Sequence, residues 1–225
     1  MPRKLNTSVP ARSHGLAGVG FAALIVLGNV VLLSAGMPTP GSDDAGFLAF
    51  LDDHRTAVAI ATALTPLTWA LAAIFGAGAV RALPAGQRAW ALAGFAGIIL
   101  QNGVFTGIVA LRAALASADN GAAEKALLAL HDAFFGLNGT FLALAMTGLS
   151  IAGVRGGLIP HWHAAVGFTG AALQFASATL TPWTIDDPGP LGLLGLAGWL
   201  LWVVWIAAYG LILARSTPGR RTVPA

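Results

Sequence analysis

Five amide side chains and two histidine–carboxylate pairs are the groups in this chain best placed to do chemistry. Asn29, Gln101, Asn102, Asn138 and Gln174 sit inside long apolar runs, where polar groups are costly and each one is a candidate for function. Counted along their helices at about 1.5 Å per residue, most fall in one half of the apolar thickness or near its middle. They can therefore share a layer. Two outcomes follow: interhelical hydrogen bonds, worth about 0.6 kcal/mol each, or a polar pocket open to one face and lined by the amides.

The second candidate is the rim, where Asp52, Asp53, His54 and Arg55 precede one apolar run and His131 with Asp132 precedes another. Imidazole and carboxylate suit zinc, and a catalytic zinc site takes about three such ligands with one open position. His54, His131, Asp53 and Asp132 can supply them only if their two helices are neighbours. The same residues also read as a helix start whose acidic first turn complements the helix dipole. His131 and Asn138 are seven apart, hence on one helix face, which links rim to amide layer. His161 and His163 flank Trp162 at the start of a helix and do not face each other. His14 reads as interfacial. With no histidine expected deep in a span, a pair of axial haem ligands is not expected. There is no cysteine, which excludes disulfides and thiolate-held metals. Nor is there a phosphate-cradling glycine loop, an HExxH or a serine elbow. No cofactor is expected.

The elements that must position these groups are apolar and long. Of 225 residues, 56% are hydrophobic and 9% charged, against about a quarter charged in soluble domains. The apolar residues fall in blocks, as helices surrounded by lipid require. Six blocks are long enough for a hydrocarbon core of about 30 Å: about 16–36, 56–80 with Pro66 inside, 89–111, the second part of a long helix over 122–154, 160–181 and 190–214. Proline at the start of the last two sits where a helix tolerates it. The first block has a basic flank like a signal peptide, but exceeds the usual length of about 7–15 residues. It is expected to stay uncleaved.

Lysine and arginine favour cytoplasmic loops. Arg3, Lys4, Arg12, Arg81, Arg88, Arg155, Arg215, Arg220 and Arg221 fall on one side of the six-span register, and Arg55, Arg112 and Lys125 on the other. All nine acidic residues fall on the second side. The expected fold is thus an all-α, polytopic membrane bundle of about six helices with both termini inside. Residues 1–15 form a basic cytoplasmic segment, 16–214 the membrane domain and 215–225 a basic tail. The net charge of +3 is scattered at block edges and forms no stripe, so nucleic acid is not an expected partner. Gly103 with Gly107, and Gly192, Gly195 and Gly198, are small faces for close packing within the bundle, or with a second copy or membrane partner. Trp199, Trp202 and Trp205 form a stripe suited to a neighbouring helix or lipid. Trp90, Trp162 and Trp183 fall where an interfacial belt belongs.

The segment Phe50-Leu51-Asp52-Asp53-His54-Arg55-Thr56, the long fourth helix and the stretch Ile159-Pro160-His161-Trp162 resemble a family of uncharacterised, mostly actinobacterial six-helix membrane proteins, a domain of unknown function. The resemblance covers nearly the whole chain. It implies the six-span layout in a bacterial plasma membrane and carries no activity. The residues point to a non-catalytic role, binding or moving a small molecule through the polar layer or serving as an accessory subunit. The alternative is a metal-dependent membrane hydrolase at the rim.

Overall fold

The computed structural model describes residues 11–38, 44–116, 121–185 and 189–216. Among them every regular element is helical: α1 (Ala11–Ser34), α2 (Asp44–Asp53), α3 (Arg55–Ala82), α4 (Arg88–Leu115), α5 (Gly121–Leu137), α6 (Gly139–Arg155), α7 (His161–Thr184) and α8 (Gly192–Arg215). Five helical stretches are long and apolar enough to cross a membrane, namely α1, α3, α4, α5 joined with α6, and α8. Helix α7 has 24 residues, about 36 Å at 1.5 Å per residue. It carries Gln174, Ser177 and several threonines, which keeps it out of that apolar set.

Helix α1 packs along α3 and α8, α4 along α3 and α6, and α7 along α6 and α8. Six helices therefore close a ring in the order α1, α3, α4, α6, α7, α8. Between apolar helices in lipid there is no hydrophobic drive to associate, so close van der Waals approach has to hold the ring. The glycines supply it. A Cβ at Gly97 would lie 2.5 Å from the Ala145 nitrogen, and Gly94 and Gly148 press backbone against backbone. On the α1–α8 seam, Gly15 and Gly210 do the same. Gly195 and Gly198 seat Ser177 and Gln174 of α7, whereas Gly103 faces open space and Gly107 meets Phe134. Most of the glycine faces noted in the sequence are consumed within the bundle.

Arg12, Arg81, Arg88, Arg155 and Arg215 all lie at one end of the ring, at the starts of α1 and α4 and the ends of α3, α6 and α8. At this basic end the interior is solid. Phe21, Phe75, Met146, Trp202, Trp205 and Tyr209 are almost fully buried there. Trp202 and Trp205 stack with centroids 5.4 Å apart, and Trp205 Nε1 donates to Ser150 Oγ at 3.0 Å. The tryptophan stripe is thus core, apart from Trp199. His163, at the start of α7, is fully buried, with Nε2 2.9 Å from the Trp205 carbonyl and its ring against Trp205 and Tyr209. Trp90, Trp162 and Trp183 are exposed at helix ends.

The opposite end departs from the sequence reading twice. Asp52 and Asp53 do not open α3; they end α2, a short separate helix, and Arg55 Nε donates to Asp52 Oδ1 at 3.1 Å across the junction. The long fourth helix is also interrupted at Asn138, where the Phe141 N–H reaches the Asn138 carbonyl at 3.0 Å in a tightened turn. Gly136 and Gly139 flank the break, and a Cβ on either would strike Thr181 or the Gln174 carbonyl of α7. Contact with α7 demands glycine there, while the Asn138 N–H still reaches the Phe134 carbonyl at 3.0 Å and α5 and α6 together make one long stretch, Gly121–Arg155.

Candidate ligand cavity

At the end away from the arginine cluster the ring widens into a cavity of about 900 Å³, bordered by α1, α2, α3, α4, α7, α8 and the α5–α6 junction. Its floor is the packed core. Its roof is a second apolar cluster in which Phe47, Phe50 and Leu51 of α2 lie against Leu32, Ala61, Leu115 and Leu128. Helix α2 is thus a flap across the mouth.

Three of the five amides meet here. Asn29, Asn138 and Gln174 line the cavity. Asn102 does not; its Nδ2 donates to the Trp69 carbonyl at 3.1 Å and ties α4 to α3. Gln101 is buried away from the cavity, its Oε1 without a hydrogen-bond partner. These two are structural glue or an unexplained buried group, not lining residues. The shared layer expected from the sequence holds for α1, the α5–α6 junction and α7, and fails for α4.

Two of the lining amides are held in a defined sense. Asn29 Nδ2 donates to the Ile25 carbonyl at 2.8 Å, and Gln174 Nε2 to the Gly195 carbonyl at 3.1 Å. A carbonyl can only accept, so the nitrogen is fixed and the amide oxygen is the end not tied to backbone. Asn138 is 6% exposed, and its Oδ1 is buried with no hydrogen-bond partner in the protein. The hydroxyls follow the same rule. Thr65 Oγ1 donates to the Thr62 carbonyl at 2.7 Å, and Thr68 Oγ1 to Leu64 at 2.7 Å. Pro66 explains the first: it lacks an N–H, leaves the Thr62 carbonyl without its helical donor, and the Thr65 hydroxyl takes that place. On α7, Thr181 and Thr184 donate to the Ser177 and Leu180 carbonyls at 3.3 and 3.2 Å.

The mouth carries charge. Arg112 Nε donates to His131 Nε2 at 3.1 Å, and His131 Nδ1 lies 2.8 Å from Asp132 Oδ1. Guanidinium has no acceptor, so Nε2 must offer its lone pair and Nδ1 must carry the hydrogen given to Asp132. His131 is 2% exposed, sandwiched by Phe47 and Phe135 with centroids at 5.2 and 6.2 Å. Arg112 and Asp132 both border the cavity.

This arrangement answers the zinc reading. Both ring nitrogens of His131 are engaged, by Arg112 and Asp132. His54 is exposed at the α2–α3 junction, its ring 5.0 Å from Phe50, and it borders a shallow recess with Asp53. Among the described residues no three histidine or carboxylate side chains come together to hold a metal. His54, His131, Asp53 and Asp132 therefore do not form one coordination sphere, because the histidine that faces inward is already hydrogen-bonded at both ends.

The sequence reading missed Arg112 and the hydroxyls. A signal existed: Gln174, Ser177, Thr181 and Thr184 recur at three- and four-residue steps, the spacing of one helix face, and Thr62, Thr65 and Thr68 do likewise. No family model, curated protein or solved structure matches the chain.

Proposed function

We propose that the protein crosses a bacterial plasma membrane six times with both termini in the cytoplasm, and that its cavity binds a small molecule entering from the outer face, without catalysis. The observation that carries this is the cavity itself, at about 900 Å³ near the top of the usual range for ligand pockets of about 300–1,000 Å³. Apolar walls with a few convergent polar groups are the common composition of such sites. Asn29, Asn138 and Gln174 bring amides from three stretches of chain to this one cavity, the convergent polar groups that such sites carry. The clustering of arginine at the other end supports the orientation, and α7 between α6 and α8 is the sixth crossing.

The chain lacks cysteine, so single thiols can be read without background. In the Ser177→Cys variant, a membrane-impermeant maleimide added outside intact cells is expected to label the cavity thiol, and the same reagent on inverted vesicles to label it far more slowly. Labelling only from the inner side overturns the orientation. No labelling from either side, while an exposed Ser34→Cys thiol reacts, overturns the accessible cavity.

A further inference from the structure

We infer that the cavity selects an uncharged amphiphile bearing hydroxyl groups at its polar end, an inference that rests on the small-molecule reading above. Charge comes first. Among the described residues that line the cavity, Arg112 and Asp132 are the ionisable pair, one of each sign, bridged through His131. A ligand of either charge would leave one net charge in apolar surroundings, where an uncompensated ion is heavily penalised.

Hydrogen-bonding sense comes second. The NH2 groups of Asn29 and Gln174 are tied to backbone carbonyls, and the hydroxyl hydrogens of Thr65, Thr68, Thr181 and Thr184 are used within their own helices. A hydroxyl that donates keeps its lone pairs. The polar lining thereby offers acceptors on these side chains, beside the Arg112 guanidinium and the hydroxyls of Thr62 and Ser177, and a hydroxyl, which both donates and accepts, is the complement. The Asn29 oxygen, on the amide whose nitrogen is held by the Ile25 carbonyl, is one such acceptor at the cavity wall, and a ligand hydroxyl can donate to it. Leu24, Leu142, Phe105 and Leu196 supply the apolar remainder, which an alkyl or similar body would fill.

The test uses the full-length Ser177→Cys protein in liposomes and three probes with one ten-carbon chain: a monoacylglycerol, the fatty acid and the primary amine, at equal mole fraction in the bilayer. The monoacylglycerol is expected to slow maleimide labelling by about tenfold at saturation, and the acid and amine by little, in line with the steep cost of burying charge. Labelling of Ser34→Cys should not change. Adding Asn29→Leu should cut monoacylglycerol protection by about fivefold, the size of one buried hydrogen bond. Protection by the acid or amine equal to that of the monoacylglycerol overturns the ligand class while the binding reading stands. Protection by none of the three overturns both. The comparison of probes on Ser177→Cys alone decides the class even if the Asn29→Leu protein does not fold.

Discussion

His131 shows how much one neighbour can decide about a side chain. Arg112 can only donate, so the imidazole has a single tautomer and hands its hydrogen to Asp132. Removing the ring strands a guanidinium and a carboxylate in largely apolar surroundings. His131→Ala is expected to cost about 1–3 kcal/mol, the penalty for polar partners left unmade, as measured by reversible unfolding in detergent micelles. Asp132→Asn keeps an acceptor for Nδ1–H and should cost less than Asp132→Ala by the same assay. Thr65 offers a smaller test. Because its hydroxyl replaces the N–H that Pro66 lacks, Thr65→Val should destabilise by about 0.6 kcal/mol, the average for a side-chain hydrogen bond in a membrane bundle. Thr65→Ser should restore it. At this scale the sequence showed which amides were buried but not what they met. Asn102 and Asn138 look alike as lone amides in apolar runs, yet one bonds a neighbouring helix and the other faces a cavity. That difference depends on rotation about the helix axis, which composition does not encode. The Arg112–His131 contact spans 19 positions and exists only once α4 and α5 are side by side.

Helices were legible because the apolar blocks are long and continuous, and the observed ends fall within a few residues of the expected ones. Two breaks were not. Asp52 and Asp53 have the composition of a helix start, and only packing of Phe47 and Phe50 onto the bundle makes them the end of α2. The interruption at Asn138 lacks a proline, and its cause, the pressure of α7 against Gly136 and Gly139, is tertiary. Glycine faces are testable element by element. Gly148→Ala places a methyl against the Gly94 backbone, where no side chain can yield, and is expected to destabilise by about 1–3 kcal/mol. Gly103→Ala has open space around it and should be neutral or mildly stabilising, since alanine favours helix by up to about 1 kcal/mol. Thermal unfolding of the two variants side by side gives opposite signs. If Gly103→Ala is the damaging one, that face is covered by a partner.

For the whole molecule, the segregation of arginine is the long-range rule. A cytoplasmic reporter signal is expected when alkaline phosphatase or a fluorescent protein is fused after Ala225. A periplasmic signal would mean an odd number of crossings or reversed insertion, and the outer-face cavity would become an inner-face one. The helical bundle class was readable from block length. The void was not, because it arises where six helices splay, a property of their crossing geometry more than of any one of them.

The closure of the ring between α1 and α8 has a consequence for how the protein is made. Of the two neighbours of α1, α3 follows soon after it in the chain, whereas α8 is made only after all the other described helices. Until α8 arrives, Gly15 has no backbone to meet and Phe21 lacks Trp202. A nascent chain stopped before residue 192 should therefore remain loose, open to membrane proteases along the unfilled seam, and tighten only when α8 slides in beside α1.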